Sequence, residues 1–149
     1  MSSSARAILW DMDGTLIDSE EYHFESWVDA LTPEGRTLTR EQFRSTFGLK
    51  NDRILRAWFG PDIDPAWIAR VGDAKERDYR DLVRTRGLQP LPGAEGCVRT
   101  HHRAGWPQAI ASSAPRANVE VALDVLGWRS LFEAIASGDD VQAGKPDPG

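Results

Sequence analysis

Cysteine is almost missing from these 149 residues: Cys97 stands alone and can close no disulfide within the chain. It falls in an expected helix, where a lone thiol packs most simply as a small buried residue. Long apolar runs are absent too. No stretch approaches the roughly 20 residues a membrane-spanning helix requires, so no membrane partner is expected. Basic residues are in deficit, 18 Lys and Arg against 23 Asp and Glu, for a net charge of −5. Nucleic-acid surfaces gather Lys and Arg against phosphates, so that partner class is not expected either. Met1 to Arg6 lead straight into an apolar segment, with no room for a secretory leader. No internal repeat and no low-complexity tract interrupts the chain. These absences leave a cytoplasmic globule of one modest domain, or a small core carrying an insert. Its 40% hydrophobic content supports a packed interior.

What is present begins with Ile8-Leu9-Trp10, an apolar run ending in Asp11-Met12-Asp13-Gly14-Thr15. A short buried strand that breaks into a glycine turn at its carboxyl end is where open α/β sheets place their chemistry. In extended backbone Asp11 and Asp13 point the same way, and Gly14 lets the chain turn sharply. One carboxylate can then serve as nucleophile or metal ligand and the other as proton-transfer partner. An acidic turn and a calcium loop are the competing readings. The calcium loop requires Gly at its sixth position and Glu at its twelfth, whereas Gly14 is fourth and Tyr22 stands at the twelfth.

Beyond the first strand, expected over 6–11, the pattern turns helical. Asp18 or Ser19 is a candidate N-cap, with Glu20 and Glu21 in the first turn. Phe24, Trp27, Val28 and Leu31 then recur at i, i+3, i+4 and i+7, one face of a helix. Thr39-Arg40-Glu41-Gln42 fits a capping box, 51–59 suggests a third helix, and Asp64-Pro65 opens a long polar one reaching Gly87. On it, Glu76, Arg77, Asp78, Arg80 and Asp81 read as a solvated face. Residues 87–93 have the composition of a linker. After them come a helix over 94–104, a strand over 107–111, a helix over 115–126 and a strand over 132–136. An all-helical block thus interrupts an α/β core.

Ser112 follows the apolar Ala109-Ile110-Ala111 and precedes a helix start, as does Ser113. The Ser112 hydroxyl suits an anion site with the helix's free N–H groups, and either hydroxyl also suits a plain N-cap. Lys145, in Gly144-Lys145-Pro146-Asp147-Pro148, has too short a context for propensity to interpret.

Asp11 to Ser19, Ile110 to Arg116 and Gly144 to Pro148 together resemble, in order, three motifs of the haloacid-dehalogenase superfamily. More narrowly they resemble its phosphatase and β-phosphoglucomutase-like branch. The resemblance implies an α/β fold: a Rossmann-like parallel-sheet core, formed by 1–17 and 90–149, with an inserted all-helical cap over 18–89. It assigns Asp11 as nucleophile, Asp13 as general acid and base, and Lys145 as the cation neutralising both nucleophile and phosphoryl group. Ser112 would bind the phosphoryl oxygens with the Ser113 backbone assisting, and Arg116 a substrate phosphate. On the cap side, Glu21 to Trp27 resembles the segment that follows the first motif in β-phosphoglucomutase. There a histidine at the place of His23 couples cap closure to acid–base action, although a simple packing role fits His23 equally. Lys50 and Asn51 fall in a loop resembling the one that selects substrates, and Lys75 at a cap lysine. The mutase carries an arginine near Asn51, so this chain departs from it there.

The implied cofactor is Mg²⁺, with Asp11 and Asp13 among its ligands. The superfamily's fourth, acidic motif has no counterpart before Gly149, and Asp139 and Asp140 are poor substitutes by position. The expectation is therefore a C-terminally truncated member whose first strand is left as an open, aggregation-prone edge. The expected activity is Mg²⁺-dependent hydrolysis of a small phosphorylated metabolite through an aspartyl-phosphate, which truncation could abolish. A sugar-phosphate mutase is one alternative, and a non-catalytic phosphate- or partner-binding fragment another. Nothing in the pattern fixes an oligomeric state.

Overall fold

The computed structural model describes residues 6–145 and residue 147. Strand β1, Ile8–Trp10, runs into the Asp11–Gly14 turn, and the chain returns in the short β2, Ile17–Asp18. Gly14 has φ 74°, the left-handed region that glycine enters without strain. A side chain there would also press on the Phe47 ring, 3.2 Å from the Cβ position.

Four helices follow: α1 (Glu20–Leu31), α2 (Arg40–Thr46), α3 (Asn51–Phe59) and α4 (Pro65–Arg86). Their ends follow local chemistry. The Thr39–Gln42 capping box is formed, and Asp64 accepts a hydrogen bond from the Ala66 N–H at 3.1 Å. Ser19 occupies the N-cap of α1, yet its hydroxyl makes no bond to the helix.

The segment expected as a linker holds strand β3, Gln89–Pro90, which pairs antiparallel with β2. Two residues are too few to show a strand period, so composition alone made it read as a linker. The chain continues through α5 (Ala94–Arg103), β4 (Gln108–Ala111), α6 (Arg116–Leu126) and β5 (Ala134–Ala136). The main sheet is parallel, in the order β1-β4-β5, with Trp10 opposite Ile110 and Ile110 opposite Ile135. This is the expected mixed α/β fold with a parallel sheet. Among the described residues β1 is an edge strand, with Leu9 69% exposed. Cys97 is exposed, contrary to its expected burial, because α5 buries Val98 and turns the neighbouring residue outward.

Two apolar clusters form the interior. Met12, Leu16, Val98, Ile110, Val119 and Leu123 lie in the one beneath the sheet. Trp27, Leu31, Phe43, Ile54 and Leu55 lie in the one among the helices. Helix α4 enters both, giving Ile68 and Val71 to the helical cluster and Tyr79 and Val83 to the sheet cluster. Its buried positions form one stripe at helical spacing, and at the stripe's middle stand Lys75 and Glu76.

Candidate active site

A cavity of about 200 Å³ opens between the strand ends of the sheet and the helical cluster. Of the residues singled out from sequence, it brings together Asp11, Asp13, His23, Asn51, Lys75, Ser112, Ser113 and Lys145. Asp11 lies just past the end of β1, and Ser112 just past the end of β4. Parallel pairing of these strands sets the carboxylate and the hydroxyl at the same end of the sheet.

Asp11 is tied on both oxygens. The Lys145 ammonium donates to Oδ1 at 2.7 Å and to the Ala111 carbonyl at 2.9 Å, while the Thr15 hydroxyl donates to Oδ2 at 3.1 Å. Sequence context could not interpret Lys145. Here it spans the ends of two neighbouring strands and aims its charge between them.

Asp13 sits deeper. The Ser19 hydroxyl donates to its Oδ1 at 2.7 Å, which is why that hydroxyl does not cap α1. His23 Nε2 approaches the same oxygen at 3.0 Å, while Lys75 Nζ lies 3.0 Å from His23 Nδ1. An ammonium only donates, so Nδ1 accepts and the ring hydrogen lies on Nε2, directed at Asp13. Burial alone would push the Asp13 carboxyl up, but His23, Ser19 and Lys75 together hold it below the usual carboxylate range. The His23 ring stacks on Tyr79, with centroids 4.0 Å apart. Burial and the nearby Asp13 and Glu76 charges push the Tyr79 phenol well above its ordinary value.

The network continues through a residue read from sequence as solvated. Glu76 is only 5% exposed and accepts from Lys75 at 2.9 Å and from Asn51 at 2.8 Å. Its other oxygen accepts from Asn118 on α6, and Asn118 in turn accepts from Arg80 at 3.0 Å. The signal was available: positions 68, 71, 75, 76, 79 and 83 follow a 3.6-residue period. Charge on the flanking Arg77, Asp78 and Asp81 obscured it.

Two predicted residues fall elsewhere. Lys50 lies outside the cavity lining, and its ammonium donates to the carbonyls of Gly138 at 2.9 Å and Val141 at 3.0 Å. Arg116 also lies outside it, donating to the Ile135 carbonyl and the Asp140 carboxylate, each at 2.9 Å. Asp139 accepts from the Arg116 main-chain N–H at 2.8 Å, so this N–H at the start of α6 already has an anionic partner. The glycine before it fits tightly, since a Cβ at Gly138 would collide with the Ser113 carbonyl.

At the cavity's serines, the Ala114 N–H donates to Ser112 Oγ at 3.0 Å. Among the described residues Ser113 Oγ is the buried side-chain polar atom with no hydrogen-bond partner. A hydroxyl left in that state beside a cavity suits a ligand oxygen. For a metal the fit is poorer. No three acidic, His or Cys side chains among the described residues stand close enough to hold an ion. Asp139 and Asp140 already serve the α6 terminus and Ser137. An octahedral Mg²⁺ set is not made up by these groups.

The profile of the haloacid dehalogenase-like hydrolases matches residues 5–149. The chain belongs to that family. Similar relatives include an uncharacterised protein from the fgs 3′ region of Lacticaseibacillus casei, 32% identical over 95% of this chain and 65% of its own length. Fructose-1-phosphate phosphatase YqaB of Escherichia coli K12 is 29% identical over 95% of this chain and 73% of its own. Among solved structures, a mutant CbbY from Rhodobacter sphaeroides in complex with xylulose-(1,5)bisphosphate superposes with a TM-score of 0.85. It is 27% identical and covered over 95% of this chain and 67% of that one. The chain thus spans about two thirds of the length of such family members. No described helix is long and apolar enough to cross a membrane.

Proposed function

We propose that the chain is a phosphomonoester hydrolase acting through an aspartyl-phosphate on Asp11. The observation that supports it best is the Asp11–Lys145 pair at 2.7 Å, in one cavity with Ser112 and the unpartnered Ser113 hydroxyl. A carboxylate nucleophile, a neutralising ammonium and free donors at the end of a parallel sheet are the parts that phosphoryl transfer needs. Family relatives with phosphatase names, such as the E. coli fructose-1-phosphate phosphatase, agree with this chemistry.

In this reading an Asp11 oxygen bonds to phosphorus as the P–O bond to the leaving group breaks. Lys145 and the serines hold the charge on the phosphoryl oxygens. The leaving oxygen takes a proton from Asp13, which later removes one from the attacking water as the Asp11–phosphorus bond breaks. With its carboxyl held below the usual range, Asp13 is ionised near neutrality while the cavity is free of ligand. A phosphate dianion beside it acts in the opposite sense, since a like charge favours the protonated form. His23 Nε2–H is the adjacent donor.

The test is phosphate release from p-nitrophenyl phosphate by the parent and by Asp11→Asn, each with and without added Mg²⁺. Release by the parent, reduced at least about 10³-fold in Asp11→Asn, is expected. Equal release by both, or none by either, counts against the reading.

A further inference from the structure

We propose, resting on that hydrolase reading, that the cavity accepts a small ester with one phosphate and no second anionic group. Its leaving group would be uncharged and present a carbon face to the cap side.

The walls of the cavity differ in chemistry. The groups suited to a phosphoryl unit, Asp11, Ser112, Ser113 and Lys145, lie together on the sheet side. The helical side offers Trp27, Phe43, Phe47, Leu49 and Ile54. Rings and aliphatic side chains give a carbon skeleton a surface to pack on, and they give a second anion nothing to pair with.

Charge balance points the same way. The cavity is lined by three carboxylates, Asp11, Asp13 and Glu76, against two ammonium groups, Lys75 and Lys145. Lys145 sits with Asp11, where the phosphoryl group would lie. Lys75 is 3% exposed and already donates to His23 and Glu76. Burial alone would raise the Glu76 carboxyl, but the Lys75 ammonium and the Asn51 hydrogen bond pull it down and it stays ionised, so the buried pair cancels its own charge. The nearby cations outside the cavity are engaged as well: Lys50 with two carbonyls, Arg116 with Asp140 and Ile135, and Arg80 with Asn118. A second phosphate or a carboxylate on the substrate would therefore meet apolar walls and a neutralised pair. Size agrees, since about 200 Å³ is small beside the roughly 300–1,000 Å³ of drug-sized ligand sites.

The experiment is calorimetric titration of Asp11→Asn with glycerol 3-phosphate and with 3-phosphoglycerate. These share a three-carbon skeleton and one phosphate and differ by a carboxylate. Binding of glycerol 3-phosphate at least tenfold tighter is expected. Leu49→Arg, added in the same background to place a cation in the apolar wall, should shrink that ratio to threefold or less. Equal or tighter binding of 3-phosphoglycerate by Asp11→Asn overturns the inference, as does binding of neither ester. An unchanged ratio in a folded Leu49→Arg chain also overturns it, because charge would then not be the discriminator. Should Leu49→Arg fail to fold, the Asp11→Asn ratio decides alone. The reading it rests on fails separately: preferential binding of glycerol 3-phosphate with no Asp11-dependent turnover sinks the hydrolase proposal and leaves this one standing.

Discussion

The sheet side and the helical side of the cavity are built by different means. On the sheet side, polar groups stand at strand ends and are aimed by main-chain pairing: Asp11 after β1, Ser112 after β4, and Lys145 bridging the two through the Ala111 carbonyl. On the helical side, aromatic and aliphatic side chains are held by packing, and the buried Lys75–Glu76 ion pair is tied onward to His23, Asn51 and Asn118. Geometry fixed by a sheet ladder suits a reacting atom, which tolerates little displacement. A packed helical wall can change its shape through side-chain substitution while the ladder stays intact. The division explains how one family scaffold can keep its chemistry and vary what it accepts.

Helix α4 joins the two sides, and its midpoint is where the comparison breaks most readily. Lys75→Met leaves the Glu76 carboxylate buried with Asn51 and Asn118 but no cation. Removing one partner of a buried pair costs about 3–5 kcal/mol, whereas replacing both is often close to neutral. Urea unfolding should therefore show Lys75→Met destabilised by about that amount, with Lys75→Met/Glu76→Gln recovering most of it. If the double variant is as unstable as the single one, the pair is more than a self-cancelling unit and the two sides are coupled through it.

This midpoint also marks where the sequence was hardest to interpret. Elements with local signals were legible: the Thr39 capping box, the Asp64 cap, the strand before Asp11 and the alternation of helix and strand after residue 93. The acidic strand end and the serines after β4 were legible for the same reason, since strand and turn set their place. Side chains aimed by distant partners were not. Lys50 and Arg116 occupy motif positions, yet carbonyls and a carboxylate from residues 135–141 draw them out of the cavity. Ser19 reads as a cap and instead serves Asp13. Glu76 is charged among charged neighbours, and only its helical phase betrays its burial.

Acid should weaken the joint before it weakens either apolar cluster. The carboxyls of Asp13 and Glu76 are both held below their ordinary values of 3.8 and 4.5 in the folded chain. Groups depressed in this way contribute stability that is fully present above those values and is lost as pH falls through the lower, folded ones. The unfolding free energy should therefore be level between about pH 5 and 7 and fall below about pH 4. Asp13→Asn should flatten part of that fall. An acid limb unchanged by Asp13→Asn, measured by denaturant titration at each pH, would mean that other carboxylates carry it.

The smallest expected effect sharpens the comparison most, because it separates the two sides' currencies of stability and binding. Ser113 Oγ is buried beside the cavity and has no partner. Deleting it removes no hydrogen bond from the folded chain and relieves an unsatisfied group. Ser113→Ala should accordingly leave stability within about 0.5 kcal/mol of the parent or raise it slightly. A phosphoryl oxygen seated on the sheet side would lose one donor. One hydrogen bond is worth about 0.5–1.5 kcal/mol, so the Kd for inorganic phosphate should rise by roughly two- to tenfold. Helical-side substitutions that alter the leaving-group wall should move phosphate affinity far less. If Ser113→Ala changes stability but not phosphate binding, the anion is not seated where β4 ends, and the sheet side loses its assignment as the phosphoryl site.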